Sequence, residues 1–149
     1  MIEVLSQKDR ADCAKMFVRV FKEEPFNYNF INYEMATKYI GGIFKDPSFR
    51  GYKFIENDIV LGYCLGSAET ALPNPQYHIK EIYMDLEVQN KGYGSRFLSY
   101  IELDLANIGM YVMSLYTNKL VPAYEFYLKN DYMEIKDTVH FMKVIKNKK

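Results

Sequence analysis

One stretch restricts this chain more than any other: Leu86-Glu87-Val88-Gln89-Asn90-Lys91-Gly92-Tyr93-Gly94-Ser95. An apolar, strand-like run from Ile79 to Leu86 leads into it, and an amphipathic, helix-like run from Arg96 to Ile108 leaves it. A strand, a glycine-bearing turn and a helix in that order form a place where an anion can bind. The first amides of a helix lack intrahelical acceptors, and the helix dipole puts partial positive charge on them. Gly92 and Gly94 have no Cβ to keep an anion from the backbone nitrogens, and Lys91 adds a full charge beside them. Taken alone, a short Gly-x-Gly turn serves equally well as a purely structural turn.

The spacing narrows the choice. A nucleotide-binding Walker loop needs Gly-x-x-x-x-Gly-Lys-Ser/Thr and a dinucleotide fingerprint needs Gly-x-Gly-x-x-Gly; the stretch has neither. Gln89-x-x-Gly92-x-Gly94, after a strand with an acidic residue at its centre, resembles the acetyl-CoA loop of the GCN5-related N-acetyltransferases (GNAT), whose signature is Gln/Arg-x-x-Gly-x-Gly/Ala. The resemblance is strongest from Ile79 to Met133 and extends over nearly the whole chain.

Composition sets the outer limits. The chain has 149 residues, 49% of them apolar and 26% charged, which suits one soluble domain over 1–149 with a real core. Its formal net charge of zero argues against nucleic acid as a partner. The basic end at Lys143, Lys146, Lys148 and Lys149 reads as a solvated terminus. The two cysteines, Cys13 and Cys64, lie in apolar runs and read as buried free thiols. No Cys/His spacing suggests a metal site. Without a signal-like segment or an apolar run long enough to span a bilayer, the expectation is a cytoplasmic protein with no membrane partner.

Along the chain, Met1 to Leu5 reads as a strand. Ser6 is an N-cap, with Asp9 three residues on, for a helix from about Lys8 to Lys22. Pro25 breaks that helix, and a second runs from about Ile31 to Phe44. Gly51 to Glu56 and Ile59 to Ala68 flank Asn57-Asp58 as a hairpin, with Gly62 and Gly66 marking a bulge or a close backbone approach. A loop over Ala71 to Gln76 precedes a strand from His78 to Leu86. The helix after the glycine turn closes at Gly109. Tyr111 to Leu115 is a strand, Pro122 opens a helix to Lys129 or Asn130, and strands at Tyr132 to Lys136 and Val139 to Ile145 complete the chain. These elements predict an α/β (α+β) architecture: a mixed, mostly antiparallel sheet of about six to seven strands with helices on both faces. The acetyltransferase fold has the same element order.

Further expectations come from the resemblance. Gln89, Asn90, Lys91, Gly92, Tyr93, Gly94 and Ser95 would wrap the pyrophosphate of coenzyme A. Ile82, Tyr83 and Met84 would lie beside its pantetheine arm, where two neighbouring strands splay apart, and the Met84 amide would face the developing oxyanion. Asn118 would also touch the coenzyme, although a turn or capping role fits the same residue. Acetyl transfer to an amine needs a base and an acid. Glu81, at the strand centre, is the base or the partner of the substrate ammonium, and strict alternation puts it on one face with Ile79 and Tyr83. Partial burial would raise its pKa from about 4.3 towards neutrality. The alternative for Glu81 is a carboxylate on a solvent-facing surface. Ala123-Tyr124-Glu125-Phe126-Tyr127-Leu128-Lys129-Asn130-Asp131-Tyr132 resembles the family's Ala-x-x-Phe/Leu-Tyr-x-x-x-Gly-Phe segment, which makes Tyr127 the acid for the departing thiolate. Asp131-Tyr132 stands where the family has Gly-Phe, so Asn130 or Asp131 must make the turn.

The acceptor side draws on Glu23, Glu24, Phe26, Tyr28, Phe30, Tyr33, Glu34, Glu69 and Tyr77. Of these, Glu24, Phe26, Tyr28 and Glu69, together with Glu81, are the substrate-binding candidates. Carboxylates among aromatic rings suit a small cationic amine, though each residue singly also reads as surface or core. Val20 to Asn27 and Lys80-Glu81-Ile82 carry a short resemblance to aminoglycoside 6′-N-acetyltransferases. The resulting reading is an acetyl-CoA-dependent N-acetyltransferase acting on a primary amine by direct attack in a ternary complex. The alternatives are a non-catalytic CoA-binding regulatory module of the same fold and an enzyme acting on a protein amine. Dimers are common in the family, and a homodimer is an expectation on that basis.

Overall fold

The computed structural model describes residues 1–71 and 73–146. The expected basic end is therefore seen as far as Lys146; Lys148 and Lys149 lie outside the described residues, as does Leu72 in the expected loop. Contacts divide the chain into two compact units, Met1–Tyr116 and Thr117–Lys149.

The first unit opens with strand β1 (Ile2–Val4), then a capping box in which the Ser6 backbone amide donates to the Asp9 carboxylate at 2.9 Å. Helix α1 (Arg10–Phe21) follows, with Cys13, Ala14, Phe17, Val20 and Phe21 on its buried face. Asn32 caps helix α2 (Tyr33–Phe44) by accepting from the Met35 amide at 2.9 Å. Strands β2 (Phe49–Glu56) and β3 (Ile59–Glu69) form the expected hairpin, and Asn57 and Asp58 both take left-handed backbone at φ 51° and 63°. That geometry is what a two-residue turn between twisted strands requires. Strand β4 (Gln76–Met84) precedes helix α3 (Tyr93–Asn107), which stops where Gly109 turns left-handed at φ 88°. Strand β5 (Val112–Ser114) completes a five-stranded sheet in the order β1-β2-β3-β4-β5. Every pairing is antiparallel except β4 with β5, so β4-α3-β5 is the anticipated crossover unit.

Helices cover both faces. On one, α1 and α2 pack with Tyr63, Leu65 and Tyr83 into the main core, each large buried side chain contributing about 1.5–3 kcal/mol. The Tyr83 hydroxyl donates to the Cys13 carbonyl at 2.8 Å, which fixes α1 to β4. On the other, α3 lies over β2: Phe54 and Phe97 have ring centroids 5.4 Å apart, and the Asp104 carboxylate accepts from Arg50 at 2.8 Å and from Tyr52 at 2.7 Å.

The sheet differs from expectation in three ways. Strict alternation fails within β4: Leu65 pairs with Glu81 but the next residue, Gly66, pairs with Ile79. Lys80 is an extra residue, a β-bulge, and beyond it the strand's faces are exchanged. Ile79 therefore shares the α3 face with Tyr77 and Ile82, and Glu81 shares the opposite face with Tyr83. Second, Tyr77 is not on the acceptor side; it is fully buried on the α3 face, its hydroxyl donating to the Arg50 carbonyl at 2.7 Å. Third, among the described residues the sheet has five strands rather than six or seven. The segments 132–136 and 139–145 join no ladder among the described residues, because alternation supplies a face but not the neighbouring backbone that a strand needs.

In the second unit Pro122 caps helix α4 (Ala123–Lys129), and Asp131 makes the turn after it at φ 66°. Lys119 and Glu134 form an ion pair at 2.9 Å. No described helix is long and apolar enough to cross a membrane.

The glycines give a direct stability test. A Cβ at Gly66 would lie 2.5 Å from the His78 carbonyl oxygen and 2.5 Å from the Tyr77 ring, whereas one at Gly42 on α2 would meet nothing within 4 Å. Urea unfolding is expected to show Gly66→Ala destabilised by about 1–3 kcal/mol and Gly42→Ala stabilised by up to about 1 kcal/mol.

Candidate active site

The bulge at Lys80 decides which face Glu81 takes. It turns Glu81 out from beneath α3 and onto the face of α1 and α2, where the Tyr39 hydroxyl donates to its carboxylate at 2.7 Å. Burial raises the Glu81 pKa, and the Tyr39 hydrogen bond and the Lys80 charge only partly offset it. Tyr39 is held by α2 against Phe17, with ring centroids 5.6 Å apart. Phe17 in turn touches Phe21 at 4.4 Å, and Phe21 touches Phe26 at 4.5 Å and stacks with Tyr28 at 6.1 Å. A continuous chain of ring contacts therefore runs from Tyr39, the partner of Glu81, to the α1–α2 connection. Phe17 and Phe21 are buried in the core along it, so only Tyr39, Phe26 and Tyr28 present an aromatic wall. The acceptor candidates Phe26 and Tyr28 are part of this wall; Glu24 is exposed on the same connection.

On the donor side, β4 and β5 pair only over Gln76–His78 and Val112–Ser114. From Ile79 to Met84, β4 has ladder partners on β3 alone among the described residues. The backbone edge beside Ile82 and Met84 is thus turned toward the gap the two strands leave. The Tyr83 side chain, by contrast, belongs to the core.

The loop beyond Met84 is held from within. Asp85 accepts from Arg19 of α1 at 2.8 Å and caps the short turn at Leu86. The Gln89 amide donates to the Met84 carbonyl at 3.2 Å, and Lys91 donates to the Glu87 carbonyl at 2.9 Å. Asn90 and Gly92 take left-handed backbone at φ 62° and 81°. Gly92 caps α3, no side chain caps its first amides, and a Cβ there would meet nothing within 4 Å. Tyr93, Gly94 and Ser95 form the opening turn of α3, whose first amides have no intrahelical acceptor and no side-chain cap, the condition an anion site requires. Pyrophosphate and pantetheine fit this arrangement: uncapped amides for the first, an unpaired strand edge for the second.

At the far end of β4, Glu69, Gln76, His78, Ser114 and Tyr116 line a cleft of about 280 Å3. The His78 Nδ1 and the Ser114 hydroxyl are 3.0 Å apart, and the imidazole lies 5.1 Å from the Tyr116 ring. Burial lowers the His78 pKa, with Lys80 adding to the effect and Glu69 opposing it. Sequence reasoning named Glu69 from this group and missed the others and Tyr39. Only the shifted register reveals that His78 and Glu81 share a face.

Neither thiol is placed to react. Cys13 and Cys64 are both fully buried, and desolvation pushes the Cys64 thiol up to about 12.

The other two candidates belong to the second unit. Tyr127 is buried on α4, its ring centroid 5.3 Å from Phe126 and 5.4 Å from Tyr132. The Asn118 side chain accepts from the Leu120 amide at 2.8 Å, a turn contact.

A mixed sheet with one parallel pair, parted beyond a bulge and followed by a glycine loop at a helix N-terminus, defines the acetyltransferase class. The chain belongs to the Acetyltransferase (GNAT) family, whose model matches residues 16–132. No curated protein sequence matches it. Among solved structures, it resembles a possible acetyltransferase from Clostridium difficile 630 at TM-score 0.79 and 20% identity, covering 98% of both chains. An aminoglycoside acetyltransferase from an uncultured soil metagenomic sample, in complex with sisomicin, matches at TM-score 0.71 and 17% identity over 98% of this chain and 96% of that one. AAC(6')-Iy, in complex with a bisubstrate analog joining CoA to acetylneamine, matches at 0.70 and 9% over 97% and 98%.

The Tyr39 contact carries a pH prediction. Its hydroxyl stabilises the charged carboxylate, so Tyr39→Phe is expected to move the Glu81 pKa further upward. Carbon-13 NMR titration of the Glu81 carboxyl group measures the shift, which would run downward were the contact unimportant and the site merely better hydrated.

Proposed function

We propose that this chain is an acetyl-CoA-dependent N-acetyltransferase whose acceptor is a small cationic primary amine, attacked directly in a ternary complex. The domain would be the whole chain, since the family match runs through both compact units. The observation that carries the reading is Glu81: a carboxylate of raised pKa, on the aromatic-walled face, at the point where β4 loses its parallel partner.

Acetyl-CoA would supply the activated acetyl thioester. Gln89, Asn90, Lys91, Gly92, Tyr93, Gly94 and Ser95 would hold its pyrophosphate through backbone amides and the opening turn of α3. Ile82, Tyr83 and Met84 would present the strand edge to its pantetheine arm, and the Met84 amide would donate to the carbonyl oxygen as negative charge builds there. Glu81 would take the proton from the acceptor ammonium, directly or through water, so that the neutral nitrogen can form the new C–N bond. A raised pKa suits this role, because a stronger base removes that proton more readily. Tyr127 would hold a proton for the sulfur as the C–S bond breaks; a phenol with pKa about 10 keeps that proton at pH 7. Asn118 would support the coenzyme from the same unit. The buried, proton-retaining cysteines support direct attack over a covalent acetyl-enzyme. On the acceptor side, Glu24, Phe26, Tyr28 and Glu69 would meet the cation through charge and ring faces.

Two experiments test the reading. In a thiol-release assay with acetyl-CoA and a panel of amines, turnover is expected on one cationic class. Glu81→Gln should lose about 10²–10⁴-fold in kcat, and Tyr127→Phe should lose turnover while still binding acetyl-CoA. Binding without turnover on any amine would instead favour a regulatory CoA module. In calorimetry, Gly92→Ala is expected to weaken acetyl-CoA binding at least tenfold while costing only about 1 kcal/mol of stability.

A further inference from the structure

The parallel pairing of β4 with β5 brings together a nucleophile and a base that the transfer at Glu81 does not use. Ser114 is the last residue of β5, and the register sets it beside His78 of β4. Its hydroxyl and the His78 Nδ1 are 3.0 Å apart. A serine hydroxyl is a weak nucleophile at its own pKa and becomes an effective one when an adjacent base can take its proton. The hydroxyls of Ser6 and Ser67 instead meet the carboxylates of Asp9 and Asp46, which are weaker bases than an imidazole.

The imidazole is in the state such a base needs. Burial lowers the His78 pKa, Lys80 adds to the effect and Glu69 opposes it, so the ring is neutral at pH 7. Glu69 lines the same cleft as His78 and Ser114. An ionised carboxylate only accepts hydrogen bonds, so it favours the ring proton on Nε2 and leaves Nδ1 to accept from Ser114. The same charge stabilises the imidazolium that forms once Nδ1 has taken the proton. Serine, histidine and a carboxylate divide these roles in the same way on unrelated folds.

The pair is also open to a ligand. Glu69, Gln76, His78, Ser114 and Tyr116 surround a cleft of about 280 Å3. That falls just below the usual range for ligand pockets, about 300–1,000 Å3, and holds a small acyl group with a water, whose share of volume is about 30 Å3. Past His78, β4 has ladder partners on β3 alone among the described residues. Strand amides left without a partner there are donors for an oxyanion.

We propose that Ser114 is an acyl-accepting nucleophile, with His78 as its base and Glu69 facing the imidazole, and that the cleft takes a small activated ester or thioester. The Ser114 oxygen bonds to the acyl carbon as its proton passes to His78 Nδ1. The bond from that carbon to the leaving oxygen or sulfur then breaks, and the leaving group takes the proton from His78. Water adds to the resulting serine ester, giving up one proton through His78 to the Ser114 oxygen and releasing the carboxylic acid. The sum is hydrolysis of the ester or thioester, an activity beyond acetyl transfer to an amine.

The test uses the full chain without coenzyme. It is treated with a fluorophosphonate, a serine-directed phosphorus electrophile, and the modified residue is mapped by peptide fragmentation. Phosphonylation at Ser114 is expected, slowed about 10²-fold or more in His78→Gln and severalfold in Glu69→Gln, while Ser67→Ala keeps the wild-type rate. With p-nitrophenyl acetate, nitrophenolate release above the buffer rate is expected, and Ser114→Ala should abolish it. The site is mapped in the wild-type chain, so that result does not depend on any variant folding. Label absent from Ser114, a labelling rate unchanged in His78→Gln, or nitrophenolate release indifferent to Ser114→Ala overturns the proposal. Neither probe contains coenzyme A or an amine, so either result leaves the acetyltransferase reading to its own assay.

Discussion

One extra residue in β4 governs the arrangement of everything around it. Without Lys80 as a bulge, alternation would turn Glu81 to the same face as Tyr77 and Ile79, under α3. A carboxylate among those buried side chains would carry a desolvation cost with no partner to offset it. The bulge instead delivers it to Tyr39 and the aromatic wall. It is tolerated because Gly66 lies opposite, where any side chain would collide with the His78 carbonyl and the Tyr77 ring. The same stretch is where β4 leaves β5. The Glu81 carboxylate, a strand edge without a ladder partner among the described residues and a polar cleft thus meet within a few residues of one strand.

The two faces of the sheet divide the work. The α3 face is structural: Asp104 gathers Arg50 and Tyr52, and the hydrogen bonds they donate hold its carboxyl below the usual range although burial pushes it upward. That network anchors α3, and with it the uncapped amides at its N-terminus. The α1 face carries Glu81, its partner Tyr39 and the ring contacts of Phe17 and Phe21. Arg19 on α1 reaches Asp85 at the head of the glycine loop, a half-exposed pair worth at most about 1 kcal/mol to stability but well placed to fix the loop's direction. Loop orientation is therefore set from both sides of the sheet.

Much of this could be read from the residues alone. Ser6 with Asp9, Asn57-Asp58, Gly92 and Gly109 each announced a local conformation that the backbone requires, and the strand–loop–helix step announced the parallel pair. Asp131 took the left-handed turn that its position demanded. The rest was hidden for a physical reason. A bulge is a property of two strands in register, so period-two reasoning on β4 alone misassigned Ile79 and could not see that His78 and Glu81 share a face. Tyr77 looked like an acceptor residue because a tyrosine in a strand carries no label for which face it takes. The alternating segments near the C-terminus failed as strand predictions because pairing needs a partner that alternation does not specify.

The proposed acetyl transfer depends on where the acyl donor binds. Backbone amide NMR during titration with acetyl-CoA tests that most directly. The arrangement described here predicts saturable shifts concentrated at residues 79–84 and 89–96, with the β1–β2 pairing and the first turns of α2 unchanged. Shifts absent from the glycine loop, or concentrated elsewhere in the chain, would contradict it.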